Sequence, residues 1–181
     1  MKTLIIYKSE TGFTKRYAEM IEHRTSDSTL VELKKLKKKD IKEADFIFYG
    51  GPIHNNVIKG LSKFLKHHKL FDGKDIFIFG VGLEPASSDK RENVINANGL
   101  SFYHVRLYLL TGGLDFTKMS KFKKKIISIG LKAAAQKGEL PNNADPSQLT
   151  GLLDRRIDMV SSDQIEKMMN VYNLVVAKRM N

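Results

Sequence analysis

Residues 3–14 read Thr3-Leu4-Ile5-Ile6-Tyr7-Lys8-Ser9-Glu10-Thr11-Gly12-Phe13-Thr14. An apolar run leads through a short loop of hydroxyl side chains into a stretch of helical periodicity. Such a loop favours anions, because the first amides of the helix point at the ligand and the helix dipole favours negative charge. It lacks the lysine and spacing of a nucleoside-triphosphate P-loop. The stretch therefore predicts a site for a terminal monophosphate, although alone it fits a simple helix cap equally well.

The composition predicts one soluble domain over residues 1–181. The chain is 41% hydrophobic and contains no cysteine, which excludes disulfides and thiolate metal sites and is typical of a reducing cytoplasm. A strand at the N-terminus argues against a signal peptide, and the apolar stretch at 126–135 is interrupted and too short to span a bilayer. The histidines show no metal-ligand spacing, so we expect no metal.

Apolar strands alternate with helical patterns along the chain. We expect strands at 3–7, 28–33, 45–49, 75–81 and 105–111, the third stopped by Gly50-Gly51-Pro52. We expect helices over 13–24, through Ile58, Leu61 and Leu65, from about Asp89 with a capping box to Glu92, and over 162–178. Strands that are apolar throughout predict a doubly wound α/β fold, with a parallel sheet covered by helices on both faces.

Ligands of such folds lie beyond the carboxyl ends of the strands. Three glycine-bearing loops follow strands of the predicted sheet: Ser9–Thr14, Gly50–Asn56 and Gly82–Ser88. Together they predict a mononucleotide-like ligand, with its phosphate in the first loop and its ring between the other two.

The S-x-T-G-x-T pattern of Ser9–Thr14 resembles the FMN phosphate loop of the flavodoxin superfamily. Within that superfamily the chain is most similar to flavodoxin-domain proteins of the menaquinone-dependent protoporphyrinogen IX dehydrogenase type. Residues 1–5, 60–70 and 112–116 and the lysine-rich segment that follows carry this second resemblance. The resemblance covers nearly the whole chain. It implies a flavodoxin-like five-stranded sheet of order 2-1-3-4-5, with a lysine-rich insertion at 114–153 after strand 5.

The resemblance also implies which residues bind FMN. The phosphate would be enclosed by Ser9, Glu10, Thr11, Gly12, Phe13 and Thr14. One face of the isoalloxazine ring would be lined by Pro52, Ile53, His54 and Asn55, and the other by Gly82, Leu83 and Glu84. Because the flavin carries the chemistry, no catalytic side chain is assigned; His54 is the histidine expected near the ring.

The chain carries a formal net charge of +11, with lysine clusters at 34–42 and 118–137. We expect the first cluster to form an exposed loop. The second, Lys118–Lys137, has an apolar stripe and predicts an amphipathic helix that would lie on an anionic membrane, meet an acidic partner, bind porphyrin propionates, or simply pack with solvated lysines. Nucleic acid is disfavoured, because these clusters have almost no arginine and little aromatic interleaving. Residues 156–160 are expected to return as a short strand.

These features predict an FMN-dependent oxidoreductase, cytoplasmic or peripheral to a membrane, that oxidises a porphyrinogen or reduces a quinone with a small-molecule or protein redox partner. Two alternatives stay open. One is a non-enzymatic FMN electron-transfer protein with an acidic partner, although flavodoxins that carry electrons are usually acidic. The other is a binding scaffold without FMN, because neither ring-lining loop contains the Trp or Tyr that flavodoxins commonly stack on the ring.

Overall fold

The computed structural model describes residues 1–115, 129 and 156–180. The chain divides into two compact units: Met1–Gly112 with Met159–Asn181, and Gly113–Asp158. The single domain with an insertion at 114–153 stays a prediction.

A parallel sheet forms the centre of the first unit. Its strands are β1 (Thr3–Tyr7), β2 (Ser28–Glu32), β3 (Phe46–His54), β5 (Asp75–Gly82) and β6 (Val105–Thr111), and a two-residue strand β4 (Val57–Ile58) pairs antiparallel with the end of β3. The order is β2-β1-β3-β5-β6. Because β4 only adds a hairpin to β3, this is the predicted order 2-1-3-4-5, and the fold class is confirmed.

Helices cover both faces of this sheet. They are α1 (Phe13–Glu22), α2 (Lys38–Glu43), α3 (Leu61–Leu65), α4 (Ser88–Asn98) and α5 (Glu166–Met180), with short 3₁₀ turns at Leu33–Lys35, His68–Leu70, Leu100–Phe102 and Ser162–Ile165. Successive side chains of a strand point to opposite faces. Ile47, Ile76 and Ile78 therefore join the core under α2, α3 and α4. The phenylalanines Phe48 and Phe77 join the core under α1 and α5.

The prediction that Gly50-Gly51-Pro52 stops the third strand is wrong, because β3 continues to His54. The glycines are required by packing: a Cβ at Gly50 would lie 2.1 Å from the Phe79 ring, and one at Gly51 would lie 2.6 Å from the Lys59 carbonyl oxygen. Proline is tolerated because β1 pairs with β3 only as far as Gly50. Gly50 directs its carbonyl toward β1, so the nitrogen of Pro52, two residues on, faces the same side beyond the end of β1.

Three further local predictions need correction. Ile58 lies in β4, so the third helix begins only at Leu61. The cap of α4 is Ser87, whose hydroxyl accepts from the Lys90 amide, and not Asp89. The lysine cluster at 34–42 is not simply a loop, because it contains a 3₁₀ turn and α2, which anchors itself in the core by Ile41. The predicted final helix is confirmed, with its first turn in 3₁₀ form.

The second unit contains a two-stranded antiparallel ladder of β7 (Gly113–Asp115) and β8 (Arg156–Asp158). The expected short strand is thus confirmed over its first three residues. The amphipathic segment Lys118–Lys137 lies outside the described residues, apart from Ile129, which is helical and 58% exposed. No helix in the described parts of the chain is both long and apolar enough to cross a bilayer.

Candidate functional site

The predicted phosphate loop, Ser9–Thr14, ends in the first turn of α1. Gly12 precedes the helix in the left-handed conformation, with φ of 99°, and α1 has no side-chain cap there. A left-handed residue with close backbone approach suits glycine. The Ser9 hydroxyl instead accepts from the Gly12 amide at 3.1 Å and so fixes the loop.

The first turn of α1 also favours an anion by its charge. It contains no acidic residue, and Lys15 and Arg16 follow directly. The hydrogen bond from Lys15 to Glu19 raises the pKa of the lysine, which keeps the ammonium charged. A helix start with neither a side-chain cap nor an acid leaves its dipole to be complemented by a bound anion.

Thr14 tests whether a phosphate fits this loop. It and Thr3 are the two buried polar residues of the described core, each 2% exposed. The Thr3 hydroxyl pairs with the Tyr172 hydroxyl at 3.0 Å, whereas that of Thr14 has no hydrogen-bond partner among the described residues. No fully buried side-chain polar atom of the described residues lacks a partner, so the unpartnered Thr14 oxygen keeps access to solvent. An accessible hydroxyl donor at an uncapped helix start suits a phosphate oxygen, so the loop fits the group.

The second predicted loop, Pro52–Asn55, is the end of β3 and its turn into β4. Asn55 and Asn56 both take positive φ angles, 48° and 65°, which Asn tolerates better than most residues. Asn98 of α4 holds this turn from outside: its side-chain amide donates to the Asn56 carbonyl at 2.8 Å, and its Oδ1 accepts from the Ile58 amide at 3.0 Å. Sequence reasoning missed Asn98, because the contact joins residues about forty positions apart.

Tyr49 supports the same hairpin from beneath. Its hydroxyl donates to the Lys59 carbonyl at 2.8 Å. Burial raises the pKa of this hydroxyl well above its ordinary value, so it stays a neutral donor at physiological pH. The end of β3 is therefore held on two sides, by Tyr49 and by Asn98.

The third predicted loop, Gly82–Glu84, follows β5. A Cβ at Gly82 would lie 3.7 Å from the Ile53 side chain, which brings this loop next to Pro52–Asn55; we call these two segments the ring loops. Leu83 is 46% exposed, and Glu84 pairs with Lys90 at 2.6 Å. In both ring loops the outer side chains, His54, Asn55, Leu83 and Glu84, are exposed to solvent.

One side-chain contact joins the phosphate loop to a ring loop. His54 Nε2 lies 3.2 Å from Glu10 Oε2. With the contact between Ile53 and Gly82, the structure therefore gathers all three predicted segments at the carboxyl ends of β1, β3 and β5. Which of these residues contact a cofactor stays a prediction. Within the described ranges, no group of three or more His, Asp or Glu side chains is placed to hold a metal ion.

The fold and this site define a doubly wound α/β protein with a phosphate-type loop after its first strand. The family model described as "Flavodoxin domain" matches residues 4–140. The chain therefore belongs to the flavodoxin domain family, and FMN is the cofactor that this membership supports. The finer likeness to protoporphyrinogen IX dehydrogenases has no support from these comparisons.

Solved structures with a similar fold are distant in sequence. A flavoprotein from Lactobacillus acidophilus in complex with FMN is 18% identical, with 61% of this chain and 91% of that chain covered and a TM-score of 0.47. The two-electron reduced flavodoxin of Megasphaera elsdenii is 18% identical over 60% and 84% of the two chains, with a TM-score of 0.46. A flavodoxin from the domain Archaea is 20% identical over 61% and 83%, with a TM-score of 0.44. No curated protein sequence matches the chain significantly. The assignment rests on the family match.

Proposed function

We propose that this protein is an FMN-dependent oxidoreductase. The observation that carries the proposal is the hydroxyl of Thr14, which has no hydrogen-bond partner among the described residues and keeps access to solvent at the uncapped start of α1. In this proposal Thr11 and Thr14 donate hydrogen bonds to the FMN phosphate. Ser9 keeps Gly12 in its left-handed conformation, so that the backbone can approach the phosphate without a Cβ in the way.

The ring loops bind and orient the isoalloxazine. When bound, FMN supplies the electron transfer, and the protein supplies orientation and surroundings. Pro52 and Ile53 are half-buried and offer apolar surface, whereas His54, Asn55, Leu83 and Glu84 are exposed. A ring held between these loops would keep one edge accessible to a reaction partner. The Glu10–His54 pair ties the ring side of the site to the phosphate side.

A porphyrinogen or a quinone is the substrate we propose in particular. The motivation is the resemblance seen in the sequence, together with the seven lysines of residues 118–137 and the absence of any acid there. Lysine ammonium groups pair with the carboxylates of a porphyrin or with an anionic membrane surface, where a quinone would be met. Peripheral membrane contact through Lys118–Lys137 belongs to this part of the proposal.

The proposal is tested in two stages. First, the purified protein is titrated with FMN and its visible spectrum recorded; we expect a yellow protein that releases FMN on denaturation. A colourless protein that fails to bind added FMN would overturn the whole proposal. Second, the FMN-loaded protein is assayed for protoporphyrinogen IX oxidation with a menaquinone acceptor. FMN binding without turnover would remove the proposed substrate and leave the flavoprotein standing.

A non-enzymatic electron carrier is the second candidate, favoured by the exposure of the ring loops. A carrier passes electrons to a protein and shows no small-molecule turnover. The distinguishing assay couples the FMN-loaded protein to a flavodoxin reductase and cytochrome c. Cytochrome reduction that depends on this protein, without porphyrinogen oxidation, would establish the carrier in place of the enzyme.

A further inference from the structure

Among the strands that the structure describes, β6 is the last on its side of the sheet, so its outer edge pairs with no further strand of that set. The Gly112 amide donates to the Gly82 carbonyl of the neighbouring β5. Main-chain groups alternate in direction along a strand. The N–H and C=O groups of the even-numbered residues of β6 therefore face β5, and those of the odd-numbered residues face the opposite way, out from the edge of the sheet. The outward groups belong to Val105, Leu107, Leu109 and Thr111.

Two side chains from distant elements occupy part of this edge. The guanidinium of Arg91, in α4, donates to the Leu107 carbonyl. The side-chain amide of Gln164 bonds to both the N–H and the carbonyl of Thr111. Two outward main-chain groups lie between these contacts, the N–H and the carbonyl of Leu109, and the Leu107 N–H lies just before them. Within the described part of the chain they have no partner. Unpaired groups of this kind are a template for another strand.

The edge lies in a groove and not on an open surface. The groove has a volume of about 790 Å³. It is lined by β6, by Ala86, Ser87, Ser88 and Arg91 at the start of α4, and by Gln164, Lys167 and Val171. At about 3.3 Å per residue, the edge from Leu107 to Thr111 is roughly 13 Å long. An extended segment of four or five residues matches that length. Walls on both sides favour a single strand over a second whole sheet.

The charge of the groove selects among such segments. Among the described residues, its lining contains three cationic side chains, Arg91, Arg106 and Lys167, and no carboxylate. Arg106 is paired with Asp75 at 2.7 Å, and Arg91 is held by the Leu107 carbonyl. Lys167 is exposed and has no ion pair among the described residues. The apolar side chains Leu109 and Val171 line the same groove. An occupant that alternates acidic and apolar side chains complements both features.

We propose that the β6 groove binds an extended, acidic segment of a partner protein, which adds as a strand to the sheet edge. Its backbone pairs with Leu109, and its carboxylates meet Lys167. The groove borders the loop Gly82–Ser88 through Ala86, Ser87 and Ser88, but its lining includes none of residues 9–14, 52–55 and 82–84, which are predicted to bind FMN.

The test uses the full-length protein and a fluorescein-labelled peptide of eight residues that alternates glutamate and valine. Fluorescence anisotropy is expected to show saturable binding. The same peptide with a central proline, which cannot pair along the edge, should bind at least tenfold more weakly. Lys167→Glu should weaken binding at least fivefold, whereas Lys178→Glu, the same charge change near the other end of α5, should change it less than twofold.

Three results would overturn the proposal. They are absence of binding by the acidic peptide, equal binding of its lysine counterpart, and no effect of proline or of Lys167→Glu. An additional readout is amide hydrogen exchange at Leu109, which should slow at least tenfold when the peptide is bound. Sedimentation with and without peptide separates a further occupant: a homodimer that binds no peptide, while the monomer at lower concentration does, would assign the edge to a second copy of the chain.

Discussion

The phosphate loop and the ring loops lie at the same end of the sheet but are built in opposite ways. Phe13 and Thr14 of the phosphate loop are buried, and the loop passes directly into a helix. The ring loops are extensions of β3 and β5 whose outer side chains, including His54 and Leu83, are exposed. The first is therefore suited to hold a ligand tightly. The second is suited to orient a ring while leaving it accessible.

Removing the hydroxyls of the phosphate loop should produce the largest effect on FMN binding. In Thr11→Val combined with Thr14→Val, two donors to a charged phosphate disappear, each worth about 1.5–3 kcal/mol. The FMN dissociation constant should rise by about two to four orders of magnitude, as measured by fluorescence titration. Thr29→Val, on the exposed face of β2, is the matched control and should leave the constant unchanged.

Although the loss of these hydroxyls should weaken FMN binding, we expect no loss of stability in the FMN-free protein. Because the Thr14 hydroxyl makes no hydrogen bond to another described residue, Thr14→Val alone should not lower the melting temperature of the FMN-free protein. A lower melting temperature would mean that the hydroxyl serves the fold and not the ligand. An unchanged FMN dissociation constant in the double variant would place the phosphate elsewhere.

Two glycines of the ring side should respond very differently to a single added methyl group. A Cβ at Gly50 would lie 2.1 Å from the ring of Phe79, which is fully buried, whereas a Cβ at Gly82 makes ordinary contacts at 3.7 Å. Gly50→Ala should lower the free energy of unfolding by about 1–3 kcal/mol through overpacking. Gly82→Ala should change it by less than about 0.5 kcal/mol.

Urea unfolding without FMN measures both free energies. Equal, small losses would mean that Phe79 moves aside easily and that the end of β3 is not tightly packed. Equal, large losses would mean that the end of β5 is as constrained as that of β3. Either outcome would erase the difference between the two strand ends.

The sheet order could be predicted because it depends on repeated local features. Each parallel strand is a short apolar run, and the alternation with helices leaves few arrangements. The end of β3 could not be predicted in the same way. Gly50 and Gly51 have the residue preference of a turn, but they are glycines because Phe79 and Lys59 approach them closely. One residue type serves both purposes, and only the packing distinguishes them.

The candidate site also has one part that depends on local sequence and another that depends on contacts between distant residues. The phosphate loop is contiguous in sequence, so its composition and position were enough to predict it. The ring side depends on Asn98 and Tyr49, and the β6 groove on Arg91 and Gln164, which reach their partners across long separations in the chain. No spacing rule connects such residues. The helix α2 was missed for a related reason: its lysines obscure the single buried side chain, Ile41, that anchors it.

The smallest expected effect concerns the contact between Glu10 and His54, which joins the two kinds of loop. Glu10 and His54 lie 3.2 Å apart, but their side chains are 39% and 50% exposed. Exposed pairs are worth about 0.2–1 kcal/mol, because water and salt screen the attraction. A double-mutant cycle with Glu10→Gln, His54→Gln and both together should give a coupling energy for FMN binding within this range, falling further at high salt. A coupling above about 2 kcal/mol, insensitive to salt, would mean that bound FMN covers the pair; the ring loops would then enclose their ligand as fully as the phosphate loop does.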